Sequence, residues 1–245
     1  MKLSNFHNHS HNSLNLQPDE GIDYFLDGKL RIIQSRNGYR FSIDAIILAE
    51  FVTLRKGDIV VDLGTGCGII LLLLLLKERI SMGIGVEIQE GLAYQARRNA
   101  ILNGFQNRMH IVIGDMKNPP LASGFADVVV CNPPYRKRGS GRINPDPSKA
   151  IARHELLISL EDVISASRKV LKNKGRVALI YPAERMSEVM VILKGYGFEP
   201  KRVQIAYPDL SSRASLVLIE ACLGARSGMI VEPPIIGQGN YSIPP

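Results

Sequence analysis

The residues with the most pointed chemistry are Asn132-Pro133-Pro134-Tyr135, which follow the apolar run Val128-Val129-Val130-Cys131. A short apolar run of this kind reads as a buried strand, and polar groups at its end point to a site. The Asn side chain and a rigid Pro-Pro backbone offer two fixed acceptor oxygens, and Tyr135 offers a flat face. Together they suit a planar group that carries an NH2: an adenine, a cytosine or a carboxamide. A strand-ending turn accounts for the same four residues, because Asn and Pro dominate turns for steric reasons. What surrounds them decides between the two.

A second group lies upstream. Ile59-Val60-Val61-Asp62-Leu63 is another buried-strand run, Gly64-Thr65-Gly66-Cys67-Gly68 is a glycine-rich turn, and residues 69–79 read as a helix despite a β-branched start. Strand, glycine loop and helix make the nucleotide-binding unit of doubly wound α/β proteins, in which glycines let the backbone approach a ligand closely. The spacing is G-x-G-x-G and lacks the phosphate-cradling G-x-G-x-x-G, so a dinucleotide is the poorer fit. Further on, a strand over 82–86 ends at Glu87, where a carboxylate can accept hydrogen bonds from both hydroxyls of a ribose. A solvated strand end is the plainer account of Glu87; the glycine loop favours the ribose.

These groups need elements to hold them, and the rest of the chain supplies an alternation. Ser42 is placed to cap a helix from 43 to 51, with Asp44 in its first turn, where the helix dipole favours a carboxylate whether or not it binds anything. Helices are predicted over 91–103, 156–171 and 184–196, and strands over 109–114, 126–131, 175–181, 202–207 and 215–223. The last two strands are joined through Asp209-Leu210-Ser211-Ser212-Arg213, a link long enough for antiparallel pairing and too short for a parallel crossover. The expectation is a doubly wound α/β sheet of seven strands, mostly parallel, the last antiparallel, with helices on both faces. Ligands of such sheets sit at the carboxyl ends of the strands. Asp62, Glu87, Asp115 and Asn132 each end a predicted strand, so four polar residues converge on one rim.

With these motifs the chain resembles the class I S-adenosylmethionine-dependent methyltransferases, a Rossmann-like family: residues 60–69 are similar to their motif I, and Asn132-Pro133-Pro134-Tyr135 to the motif IV of those that methylate amino groups. The resemblance spans about residues 40–223. Arg40-Phe41-Ser42-Ile43-Asp44, Ala152-Arg153-His154-Glu155 and Glu232-Pro233-Pro234 further resemble the bacterial tRNA adenine-N6 methyltransferases that act on valine tRNA beside its anticodon. The resemblance implies S-adenosyl-L-methionine as cofactor. The Gly64, Gly66 and Gly68 loop would pass beneath its methionine part, Glu87 would hold its ribose, and Asp115 its adenine amino group. Asp62, Phe41, Asp44 and Asn132 would complete the pocket. For catalysis, Asn132, Pro133, Pro134 and Tyr135 would hold and stack the acceptor base. No general base is required, since the amine proton becomes acidic only as the methyl arrives; His154 is not assigned a catalytic role.

The charge balance bears on the partner. Thirty Lys and Arg against 23 Asp and Glu give a net charge of +7, which favours a polyanion. Arg136, Lys137, Arg138 and Arg142 form a basic, glycine-containing segment directly after Tyr135, suited to phosphates or to a solvated loop. With Arg153 and Arg213 they are the candidate RNA contacts, and tRNA is the expected partner. Cys67, Cys131 and Cys222 lie far apart with no CxxC pair, so neither zinc nor a disulfide framework is indicated and a cytoplasmic protein is expected. His7, His9 and His11 have no acidic or Cys partners, so no metal is expected. The apolar stretch 69–76 is well short of the roughly 20 residues that cross a bilayer as a helix. Residues 1–20 read as a flexible tail, 21–223 as the methyltransferase domain with an N-terminal extension, and 224–245 as a C-terminal tail.

Alternative readings share much of this sequence. A protein glutamine N5-methyltransferase would use the same motif IV, although fewer than about 25 residues precede the first ordered segment, too few for a helical substrate domain. An rRNA or DNA adenine N6-methyltransferase fits the motifs too. A cofactor-binding RNA-binding module without activity would have no need of the acceptor geometry of Asn132-Pro133-Pro134-Tyr135.

Overall fold

The computed structural model describes residues 16–37, 40–77, 79–133 and 158–237. The chain opens with an antiparallel hairpin, β1 (Glu20–Phe25) and β2 (Leu30–Ser35), followed by helix α1 (Ile43–Phe51). The alternation then runs β3 (Asp58–Leu63), α2 (Ile69–Leu76), β4 (Ile80–Glu87), α3 (Glu90–Leu102), β5 (Met109–Ile113) and β6 (Ala126–Cys131). It continues with α4 (Leu160–Val170), β7 (Leu171–Pro182), α5 (Met186–Gly195), β8 (Phe198–Tyr207) and β9 (Leu216–Leu223).

The seven long strands from β3 to β9 form one sheet in the order β5-β4-β3-β6-β7-β9-β8. Strands β3 to β7 pair in parallel, and β9 runs antiparallel to both β7 and β8. The final strand therefore lies inside the sheet, between the two strands that precede it. Beyond it, β10 (Ile230–Val231) and β11 (Ile235–Ile236) pair in parallel with the outer edge of β8, so the fold continues past residue 223 into the stretch read as a C-terminal tail.

The two faces of the sheet carry separate apolar layers. Val60, Val128 and Val130 point to the layer that holds α1, α2, α3 and the hairpin, whereas Val61, Val129 and Cys131 point to the layer under α4 and α5. Parallel strands buried on both faces are apolar throughout, which is why these runs do not alternate. Helix α2 is apolar all round for the same reason: Ile69 to Leu75 are all buried, and a helix of that kind belongs inside a core. Among the described residues, no helix is long and apolar enough to cross a membrane.

The hairpin is held by polar contacts. Asn103 on α3 accepts from Arg31 N (2.9 Å) and donates to Arg31 O (2.7 Å), and Asn99, one turn earlier, does the same with Ile33 (2.7 and 3.1 Å). Two amides at i and i+4 thus cover the edge of β2 where a third strand would otherwise pair. Arg98 beside them is buried against the Glu20 carboxylate at 2.5 Å. This buried ion pair draws Glu20, placed in the tail by the sequence, into β1.

Several element limits differ from expectation for local reasons. The capping box of Ser159 with Asp162 starts α4 at Leu160. Strand β7 begins at Leu171, which pairs with Ala126 of β6; the register then shifts before Arg176 pairs with Val128, and Lys174 in between has φ 63°.

Candidate functional site

Strands β3 and β6 are neighbours, yet the chain leaves β3 towards β4 and β5 on one side and leaves β6 towards β7 on the other. At such a switch point the connections diverge and open a crevice at the carboxyl ends. The glycine loop after β3 and Asn132-Pro133 after β6 both stand at this end of the sheet.

The loop is shaped by glycine. Gly64, Gly66 and Gly68 have φ of 79°, 56° and 87°, a region in which other residues are strained. Gly64 N and Thr65 N both donate to Val86 O (2.9 and 3.0 Å), drawing the loop towards β4. At Gly64 a Cβ would also lie 2.4 Å from Met116 Cε, so side-chain packing adds to the backbone requirement.

Two buried carboxylates line the loop. Glu87 accepts from Gly66 N through Oε2 and from Gln89 N through Oε1, both at 2.9 Å. These bonds fix the carboxylate while each oxygen keeps further acceptor capacity. Asp62 is 0% exposed; its Oδ2 accepts from the Thr65 hydroxyl at 2.7 Å, and its Oδ1 has no hydrogen-bond partner among the described residues. Burial pushes the Asp62 carboxyl up to about 7, against the Thr65 hydrogen bond and with a smaller contribution from the charge of Glu87. An unpaired buried carboxylate oxygen calls for a donor or a cation.

Asn132 and Pro133 follow the last residue of β6, Asn132 half-buried and Pro133 buried. The β3–β6 ladder has its last pair at Asp62 and Val130, and one residue further on the Cys131 thiol donates to Leu63 O at 3.1 Å. That contact ties the end of β6, which leads into Asn132, to the root of the glycine loop. Asp115 stands two residues past the end of β5, exposed, with its Oδ1 accepting from Lys117 N at 2.9 Å. Ahead of α1, Phe41 N donates to Gln34 Oε1 (3.2 Å) and the Phe41 ring lies 5.1 Å from that of Phe25. Ser42 is the N-cap residue of α1 but makes no side-chain cap bond, and burial raises the Asp44 carboxyl. Arg213 is exposed on the β8–β9 loop; β8 runs parallel to β7, so this loop shares the rim with Asn132. In the same loop Asp209 accepts from the backbone and hydroxyls of Ser211 and Ser212. Pro134, Tyr135, Arg136, Lys137, Arg138, Arg142, Arg153 and His154 lie outside the described residues, as do His7, His9 and His11.

Residues 54–208 match the family model described as a methyltransferase domain, well over half of the chain. A tRNA1(Val) (adenine(37)-N6)-methyltransferase of Porphyromonas gingivalis is 33% identical over 189 residues, covering 74% of this chain and 73% of that protein. The chain belongs to the class I S-adenosylmethionine-dependent methyltransferases. A methyltransferase of the same name from Aeromonas salmonicida is 29% identical over 169 residues, covering 69% of this chain and 70% of that one. Among solved structures, a predicted O-methyltransferase from Agrobacterium tumefaciens superposes with a TM-score of 0.63 at 22% identity, covering 79% of this chain and 86% of the other. That likeness bears on the fold alone.

For a methyltransferase of this class the cofactor is S-adenosylmethionine, and the residues at the switch point fit it. The cofactor carries an ammonium group, and Asp62 Oδ1 is a buried acceptor with no donor among the described residues. Its ribose hydroxyls are donors, and Glu87 is a fixed carboxylate beside the loop. Among the described residues, no group of three or more His, Cys, Asp or Glu side chains is placed to hold a metal ion.

Three supporting residues are absent from the sequence-based site. Thr65 fills a variable position of the glycine motif and carries the hydroxyl that Asp62 accepts. Gly85 makes room for it: a Cβ there would lie 2.6 Å from Thr65 Cγ2 and 2.9 Å from Ile111 Cδ1. A glycine inside a strand does signal close approach, so Gly85 was findable. Asn99, whose Nδ2 donates to Cys67 O at 2.9 Å, carries no local signal, because an Asn in a helix usually faces solvent.

Proposed function

We propose that this methyltransferase modifies the exocyclic N6 amine of an adenine in tRNA, the anticodon loop of valine tRNA being the expected target. The observation that supports this reading most is that Asn132-Pro133 follows β6 directly beside the end of β3, where Asp62 and the glycine loop begin. An acceptor amine held there stands next to the loop assigned to the cofactor. The names of the Porphyromonas and Aeromonas relatives give the same acceptor.

In this reading Asp62 meets the cofactor's ammonium group, Glu87 its ribose hydroxyls and Asp115 its adenine amino group, while the Gly64 to Gly68 loop, Phe41 and Asp44 complete the pocket. The cofactor supplies an electrophilic methyl on a sulfonium. The adenine amine is a poor nucleophile, since its lone pair is delocalised into the ring. The Asn132 side-chain oxygen and the Pro133 carbonyl accept its two hydrogens and favour a tetrahedral nitrogen with a directed lone pair. Tyr135 stacks on the base. Positioning of this kind accounts for much of the rate in oriented systems, and the base must leave its stack to be reached, which suits an unpaired loop. Arg136, Lys137, Arg138, Arg142, Arg153 and Arg213 serve as phosphate contacts.

The test is incubation with labelled S-adenosylmethionine and unmodified total tRNA, then nucleoside digestion and mass spectrometry. N6-methyladenosine that disappears with Asn132→Ala supports the proposal. Labelled protein glutamine with unlabelled tRNA would replace the acceptor by a carboxamide.

A further inference from the structure

Asn99 stands where three parts of the protein meet. It is fully buried on α3. Its Nδ2 donates both to Cys67 O (2.9 Å), inside the glycine loop, and to Ile33 O (3.1 Å) on β2, while its Oδ1 accepts from Ile33 N (2.7 Å). One side chain thus joins the 64–68 loop to the hairpin. Cys67 lies between Gly66, whose N–H meets Glu87, and Gly68, which precedes α2 in a left-handed conformation. A buried carbonyl needs a donor, and Asn99 is the side-chain donor to this one among the described residues. The Gly66 N–H that meets Glu87 lies two peptide units before the Cys67 carbonyl that Asn99 holds, so both bonds fix the same short loop.

The hairpin reaches the site from a second direction. Gln34, 2% exposed, accepts from Phe41 N and donates to Asp23 Oδ2 (2.8 Å), which also accepts from Arg40 (2.6 Å). Arg40 and Phe41 lead into α1, ahead of Asp44. The hairpin is therefore bonded on one side to the turn before α1 and on the other, through Asn99, to the glycine loop. Asn103 provides an internal comparison, because it bonds β2 at Arg31 in the same manner and has no bond to the loop.

We infer that Asn99 is a positioning residue for the cofactor loop, and that through it the docking of the β1–β2 hairpin on α3 is coupled to S-adenosylmethionine affinity. The inference rests on the assignment of the 64–68 loop and Glu87 to cofactor binding. Asn99 touches no cofactor atom in this account; it sets the loop, and the hairpin sets Asn99.

The experiment measures S-adenosylhomocysteine affinity by calorimetry, and stability by denaturation, for the full chain and its Asn99→Ala, Asn99→Asp, Asn103→Ala and Glu87→Ala variants. Asn99→Asp keeps an acceptor for Ile33 N but has no NH2 for Cys67 O. Both Asn99 variants should weaken binding by about tenfold, the loss of one buried hydrogen bond. Asn103→Ala should stay within about threefold, since its bonds reach β2 but not the loop. Equal weakening by the Asn99 and Asn103 variants, or lost stability with unchanged affinity at Asn99, would overturn the inference while Glu87→Ala still weakened binding. Unchanged affinity in Glu87→Ala would remove the site assignment and the inference with it. Should the Asn99 variants not fold, amide exchange in the wild-type protein decides. S-adenosylhomocysteine should slow exchange in β2 more than in β8 at the far end of the sheet, and equal slowing would overturn the coupling.

Discussion

Replacing Asp62 by Asn separates two roles of one carboxylate. In the ligand-free protein Asp62 is fully buried, with one oxygen on Thr65 and the other unpartnered among the described residues. Its carboxyl titrates at about 7, against an ordinary 3.8, chiefly because burial disfavours the charge. That difference corresponds to roughly 4 kcal/mol. The folded pKa is the higher one, so between about pH 4 and pH 7 the folded state holds a proton that the unfolded chain has released. Stability from this group is fully present below pH 4, falls as pH rises through the window and is level above it. Asp62→Asn removes the dependence. Urea denaturation of the ligand-free variant should show a gain over wild type at pH 8 of up to roughly 4 kcal/mol and little difference at pH 4. Cofactor binding should reverse the advantage, because an ammonium group beside Asp62 favours its charged form. Calorimetry of S-adenosylhomocysteine near pH 6.5, in buffers of different ionisation enthalpy, should then show proton release by wild type and none from this site in the variant. A stability difference that is the same at pH 4 and pH 8, or binding enthalpies independent of buffer in wild type, would refute the reasoning.

Other perturbations test neighbouring links. Asn132→Ala should lower turnover by about a hundredfold or more, as loss of oriented acceptors does, with S-adenosylhomocysteine affinity nearly unchanged; equal loss of both would make Asn132 mainly structural. Gly85→Ala places a methyl 2.6 Å from Thr65 Cγ2 and should cost about 1–3 kcal/mol by thermal or chemical denaturation, together with weaker cofactor binding. Arg98→Ala leaves the Glu20 carboxylate buried without its guanidinium and should destabilise by roughly 3–5 kcal/mol, whereas changing the exposed pair Arg40 and Asp23 should cost under about 1 kcal/mol. Replacing Arg136, Lys137, Arg138 and Arg142 together should weaken tRNA binding and flatten its salt dependence, read from affinities across a salt series; an unchanged slope would remove these residues from the phosphate contacts.

Much of the frame is legible in the sequence. The strands at Val60, Val86 and Val128 announce themselves because a parallel sheet covered on both faces needs unbroken apolar runs. Asp62, Glu87, Asp115 and Asn132 stand out because each ends such a run. The position of β9 between β7 and β8 was not readable, since a pattern of apolar residues does not say which edges pair. The β10 and β11 segments are two residues each, too short to carry a period, and are defined only by their bonds to β8. Strand β7 begins at Leu171, four residues before the expected Gly175, because Leu171 pairs with Ala126 of β6 ahead of the register shift, a contact that local periodicity does not signal.

By itself the sequence determined the fold class, the order of elements and the chemistry available at the rim, since these follow from local periodicity and from which polar residue closes each strand. Tertiary structure decided the protonation of Asp62, the fixing of Glu87 by the Gly66 and Gln89 amides, and the joining of hairpin, α3 and glycine loop through Asn99. Each of these depends on burial or on at least one partner distant in the chain. Desolvation and hydrogen-bond geometry arise only when the elements are packed.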